Sequence, residues 1–127
     1  MSALVLDAGA FVAVDRDERA VVARLRAAQR AGLELRSTGA VIAQVWRDPA
    51  GRQANLARLL RAVDVRPVDD QFGRRTGELL GQAGRGDVVD AGVVAVSVTG
   101  DRILTGDPGD IAPLVAASGR SVVVVAC

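Results

Sequence analysis

Ala3-Leu4-Val5-Leu6-Asp7 is the stretch on which the fold turns: four apolar residues in a row, then a carboxylate. A short apolar run without polar alternation reads as a strand buried on both faces, as in a parallel sheet. An acid directly behind such a strand stands at its carboxyl end. Outward from there, Ala8 to Val14 predicts a short helix and Glu18 to Ala31 a longer one, with Val21, Val22, Leu25 and Ala28 on one face. Gly32 ends it, and Leu33 to Arg36 predicts a second strand. Ser37 or Thr38 is placed to cap a helix over Ala40 to Arg47, which Pro49 stops. Leu56, Leu59, Leu60 and Val63 mark another amphipathic helix, followed by a strand over Val63 to Pro67.

Asp69 then caps a helix that turns Phe72, Leu79, Leu80 and Ala83 inward, and Gly84-Arg85-Gly86 breaks it. Val88 to Val98 is nearly all apolar and predicts a central buried helix. Ile103 to Thr105 reads as a fourth strand, Pro108 to Ala117 as a last helix, and Ser121 to Val125 as a last strand. Strands alternating with helices imply an α/β fold whose parallel sheet is covered on both faces. Such sheets bind ligands at the carboxyl ends of their strands, beside the topological switch point. No linker or repeat interrupts the pattern, so residues 1–127 are expected to form a single domain.

Composition removes most kinds of chemistry. The chain has no histidine, lysine or tyrosine, so all 16 basic residues are arginine. Imidazole-based triads, the usual His-containing zinc sites, Schiff bases and a phosphate-binding P-loop lysine are therefore excluded. Carboxylates, arginines, a few hydroxyls and a bound metal remain. The single cysteine, Cys127, rules out an internal disulfide and fits a reducing compartment. No apolar run reaches the roughly 18 residues that span a bilayer, so the expectation is a cytoplasmic protein with no membrane association. A net charge of +1 supplies no global basic field. Most arginines are expected on solvated helix faces and a minority on a phosphate-binding rim.

The acids fall in a pattern. Asp7 follows strand one and Asp107 follows strand four, while Asp87 and Asp90 lie three apart at the start of the apolar helix and share a face. Each has an ordinary reading as well: Asp87 as a helix N-cap, Asp107 or Asp110 as a cap of the last helix, Asp7 as an acceptor for backbone N–H groups. Together the acids carry a further cost. Two like charges about 4 Å apart repel by roughly 4 kcal/mol at an effective dielectric near 20, so converging carboxylates call for a cation. All-oxygen ligation suits Mg²⁺ or Mn²⁺.

The ordered set Leu6-Asp7-Ala-Gly-Ala-Phe11, Asp87-Val-Val-Asp90-Ala91 and Leu104-Thr105-Gly-Asp107-Pro-Gly-Asp110 resembles the PIN domain, in particular VapC-type toxins of bacterial toxin–antitoxin pairs. The resemblance spans the chain. It implies a three-layer α/β/α sandwich around a mostly parallel sheet of about five strands, and a metal-dependent endoribonuclease in which a metal-activated water cleaves an RNA phosphodiester. It places Asp7, Asp90 and Asp107 as catalytic and metal-binding acids holding Mg²⁺ (or Mn²⁺), Asp87 and Asp110 as auxiliary or water-mediated ligands, and Thr105 as a site hydroxyl. Two positions depart from the family. Gln44 stands where a glutamate is usual, with Asp48 one turn further as a partial substitute, and Ala8 stands where a hydroxyl residue often follows the first acid.

The resemblance also implies RNA as substrate, a small antitoxin protein as partner and a homodimer. Phe11, Val12 and Val14 are a candidate partner surface, and Trp46 a candidate dimer anchor; core packing is the alternative for both. Gln44 and Ala8 motivate another reading, a catalytically weakened PIN-fold module acting through a protein partner. A metal-dependent phosphatase using the same acids is a third.

Overall fold

The computed structural model describes residues 2–127. Strand β1 (Ala3–Leu6) is buried at every position and pairs in parallel on both sides, with β2 (Glu34–Thr38) and β4 (Arg102–Thr105). That double pairing is why its sequence is a continuous apolar run rather than an alternating one. β3 (Val63–Arg66) and β5 (Val123–Ala126) complete a parallel sheet in the order β3-β2-β1-β4-β5. The chain builds outward from β1 through β2 to β3, then returns to the other side of β1 for β4 and β5. The switch point therefore lies between β1 and β4, where the expectation from sequence put a ligand site.

Helices α1 (Ala8–Asp15), α2 (Arg19–Arg30), α3 (Gly39–Val45) and α4 (Ala54–Leu60) form one group in which α1 touches the other three. Helices α5 (Asp70–Ala83), α6 (Val88–Ala95) and α7 (Pro108–Ser118) pack on one another as the second group. The sheet and the two groups give the expected three-layer α/β/α sandwich. Phe11, Leu6, Ile103, Leu104, Ile111 and Leu114 are fully buried, and each contributes about 1.5–3 kcal/mol by leaving water. Among the described residues no helix is long and apolar enough to cross a membrane.

Three local expectations shift. Thr38 caps α3 by accepting from the Val41 N–H, whereas Ser37 belongs to β2 and donates its hydroxyl to the Leu6 carbonyl. Helix α3 ends at Val45, two residues early, because the buried Gln53 side chain draws in the chain beyond it. Its Oε1 accepts from the Arg47 and Asp48 N–H groups, while Nε2 donates to the Val45 carbonyl and to Asp15. Helix α6 ends at Ala95 rather than Val98, where two arginines terminate it. The Arg36 guanidinium donates to the Val96 carbonyl, and Arg120 donates to those of Val94, Ala95 and Ser97. Positive charge at a helix C-terminus also complements the macrodipole.

Candidate metal centre

Asp7 leaves β1 at its carboxyl end and is only 5 % exposed. Its Oδ1 accepts from the Ala8 N–H at 2.8 Å, which caps α1, and its Oδ2 accepts from the Thr105 hydroxyl at 2.8 Å. Thr105 is the last residue of β4 and is fully buried. The same Oγ1 accepts from the Asp107 N–H at 2.9 Å. One hydroxyl thus ties the acid of β1 to the turn that carries the acid of β4, across the switch point.

Backbone contact fixes the same junction. A Cβ on Gly9 would sit 2.9 Å from the Gly106 nitrogen and 3.1 Å from its Cα. Only glycine lets the two acid-bearing turns meet so closely. Cys127 lies near this contact, its Sγ 3.5 Å from the same Cβ position. Partial burial, and then the Asp7 charge, push its thiol pKa up.

On the facing side, Asp87 caps α6 through the Asp90 N–H at 2.8 Å, so its ordinary reading holds. Asp90 occupies the first turn, half-buried. A carboxylate at a helix N-terminus is normally favoured by the dipole. Here its pKa is pushed up to about 7, first by burial, then by the charge of Asp87 and that of Asp7, with the Asp87 hydrogen bond and Asp110 adding to it. Desolvation and like-charge repulsion outweigh the dipole. Asp107 is exposed at the N-cap position of α7, yet its carboxylate makes no capping bond, and Asp110 is exposed in that helix's first turn. Among the described residues, the ion pairs engage Glu34, Asp64, Asp70 and Asp101 and none of these five acids.

The architecture that carries this acidic edge has a counterpart. A chain in the crystal structure of VapBC2 from Rickettsia felis, bound to a DNA fragment from their promoter, superposes with a TM-score of 0.69 over 98 % of both chains at 13 % sequence identity. This chain has the PIN fold. No family model matches the sequence, and no curated protein sequence matches it.

Within the PIN fold of this chain, then, the charges of Asp7, Asp87 and Asp110 act on Asp90, while Asp107 is tied to Asp7 only through its backbone N–H and the Thr105 hydroxyl. Gln44 is exposed on α3 and makes no hydrogen bond among the described residues. Asp48 does not continue that helix as the sequence suggested. It lies beyond the end of α3 with φ 46° and its N–H held by Gln53, so it is no one-turn substitute for a glutamate. Among the described residues no three acidic or thiol side chains form a ready-made metal cage. Carboxylate oxygens with no ion-pair partner are nonetheless donors of the kind a hard divalent ion takes, above all Mg²⁺, which keeps several waters when it binds.

Phe11 is fully buried and Val14 nearly so, so the partner face expected from Phe11, Val12 and Val14 is chiefly core. Trp46 is half-buried against the same core. What is open nearby is a groove of about 240 Å³ lined by Val14, Val22, Leu25, Arg26, Arg58 and Leu59, between α1, α2 and α4. Sequence reasoning missed Gly9, whose contact partner is 97 residues away and leaves no local signal. It also missed the buried Arg36, where the only clue was a charge ending a predicted strand.

Proposed function

We propose that this chain is a Mg²⁺- or Mn²⁺-dependent endoribonuclease acting as the toxin of a VapBC-type toxin–antitoxin pair. The observation that carries the reading is Asp7: a carboxylate buried at the switch point with no cationic partner, beside Asp90, whose pKa burial and then the charges of Asp87 and Asp7 push up to about 7. An unpaired buried carboxylate costs stability, and a bound cation reverses that cost. Asp7, Asp90 and Asp107 would hold the ion, with Asp87 and Asp110 reaching it through water and Gln44 as a neutral auxiliary ligand. When bound, the metal polarises the phosphodiester and lowers the pKa of an attacking water.

The rest is supplied by the chain. Thr105 orients Asp7 by donating to Oδ2. Asp87, fixed as the cap of α6, holds Asp90 in the first turn. The Gly9–Gly106 contact sets the separation of the Asp7 and Asp107 turns. RNA is the substrate of this proposal. An apolar antitoxin segment would occupy the groove between α1, α2 and α4, and a homodimer completes the assembly. The structural counterpart from a VapBC2 complex on promoter DNA supports the antitoxin partner.

The test is cleavage of a mixed RNA pool in Mg²⁺ or Mn²⁺. Wild type should cut, and Asp7→Asn and Asp90→Asn should not, while all three keep the same circular dichroism spectrum. Undiminished cleavage by both variants sinks the assignment. Gln44 favours a second reading, a PIN-fold module that has lost catalysis. Calorimetric titration with Mn²⁺ separates the two, since that module binds no ion near millimolar concentrations.

A further inference from the structure

An RNA backbone brought to this edge meets the carboxylates of Asp7, Asp87, Asp90 and Asp110, and one divalent ion leaves their summed charge negative. A cation from the chain is needed on the rim. Several of the 16 arginines are committed elsewhere. Arg36 and Arg120 cap α6 from beneath, Arg66 and Arg74 pair with Asp64 and Asp70, and Arg47 folds back onto the carbonyls of Ala43 and Trp46. We propose that Arg85 is the phosphate-binding residue of the site, gripping the RNA backbone beside the bond to be cut; this rests on the endoribonuclease reading above.

Arg85 stands two residues before Asp87, the cap of α6. It is exposed and takes part in no ion pair or hydrogen bond among the described residues, so its guanidinium is available. Its backbone is held from both sides. Gly84 ends α5 with φ 67° and Gly86 follows with φ 103°, conformations that favour glycine. A Cβ on Gly86 would lie 3.1 Å from the Leu114 side chain, so the loop rests on α7. Leu114 is one helical turn beyond Asp110 on the same face. Arg85 is thereby carried in the loop that leads into the first turn of α6 and rests on the middle of α7, the two helices that open with the site acids. A guanidinium binds phosphate oxygens through two parallel N–H donors, which fixes orientation as well as adding charge.

The experiment measures binding of a fluorescein-labelled mixed-sequence oligoribonucleotide in Mg²⁺, on an Asp7→Asn background so that the probe stays intact. Adding Arg85→Ala should weaken binding roughly ten-fold, the scale of one charged hydrogen-bonding contact. It should also flatten the dependence of log K on log salt by about 0.7, the value for one phosphate contact to a single strand. Arg85→Lys should restore the salt slope but only part of the affinity, because charge returns without the fork. Arg30→Ala, at the end of α2 beside the amino ends of the strands, should change neither. Unchanged affinity and slope in Arg85→Ala would overturn the proposal, as would an equal loss in Arg30→Ala. Wild type that binds RNA but cuts none in Mn²⁺ would remove the nuclease reading, and the binding series would still judge Arg85.

Discussion

Two aspartates are buried at opposite edges of the same sheet, Asp101 at 1 % exposure and Asp7 at 5 %, and the molecule treats them in opposite ways. Asp101, just before β4, accepts from the Ala3 and Val98 N–H groups and from the Arg36 guanidinium at 3.0 Å. Its charge is met and its lone pairs are filled. Asp7, just after β1, receives one hydroxyl and its neighbour's N–H, and no cation. Helix α6 links the two edges. Arginines close its C-terminal end, while carboxylates crowd its N-terminal end. Equal burial thus carries different meanings: the charge of Asp101 is met by a guanidinium, while Asp7 is hydrogen-bonded at both oxygens and its charge has no ion-pair partner.

The contrast can be broken most forcefully at the satisfied end. Asp101→Ala takes away the buried partner of the Arg36 guanidinium, leaving only its longer contacts to Glu34 at 3.5 Å and Asp64 at 3.9 Å, and should destabilise the fold by about 3–5 kcal/mol in urea denaturation. Asp7→Asn, at comparable burial, should leave urea stability equal or higher while abolishing metal-dependent cleavage. A large loss of stability in Asp7→Asn would erase the distinction.

Thr105→Val keeps shape but frees Asp7 Oδ2, and should cost about 1–3 kcal/mol together with a 10–100-fold loss of Mn²⁺ affinity, read by calorimetry. The mildest effect is on pH dependence. Because the folded-state pKa of Asp90 is raised, its protonated form is the one favoured by folding. Its contribution is therefore complete below about pH 4 and is lost as pH rises through about 7. Metal-free protein should melt at a lower temperature at pH 8 than at pH 5.5, and Asp90→Asn should shrink that difference. Stabilisation by Mg²⁺ should run the other way, growing as pH rises, because only the ionised carboxylate ligates.

Much of this was readable from residue order. Apolar run length identified β1, Pro49 and the glycines marked the breaks, and the acids after β1 and β4 fell at the switch point because parallel sheets put them there. What escaped was long-range. That Arg36 would turn inward to Asp101 depends on a partner 65 residues away. The early end of α3 depends on Gln53 reaching back to Arg47, Asp48 and Val45, which no helix propensity encodes. The partner face expected from Phe11 failed for a related reason: a short helix with apolar residues nearly all round is a core helix, and its periodicity could not say which side stayed open.

Gly9 carries no functional group and would be passed over in any search for reactive residues. Yet every side chain placed there collides with the backbone of Gly106. In a saturation library selected for function, substitutions of Gly9 should be depleted as strongly as those of the aspartates. In a lineage of such proteins, its persistence would record the inherited spacing of the acids rather than their chemistry.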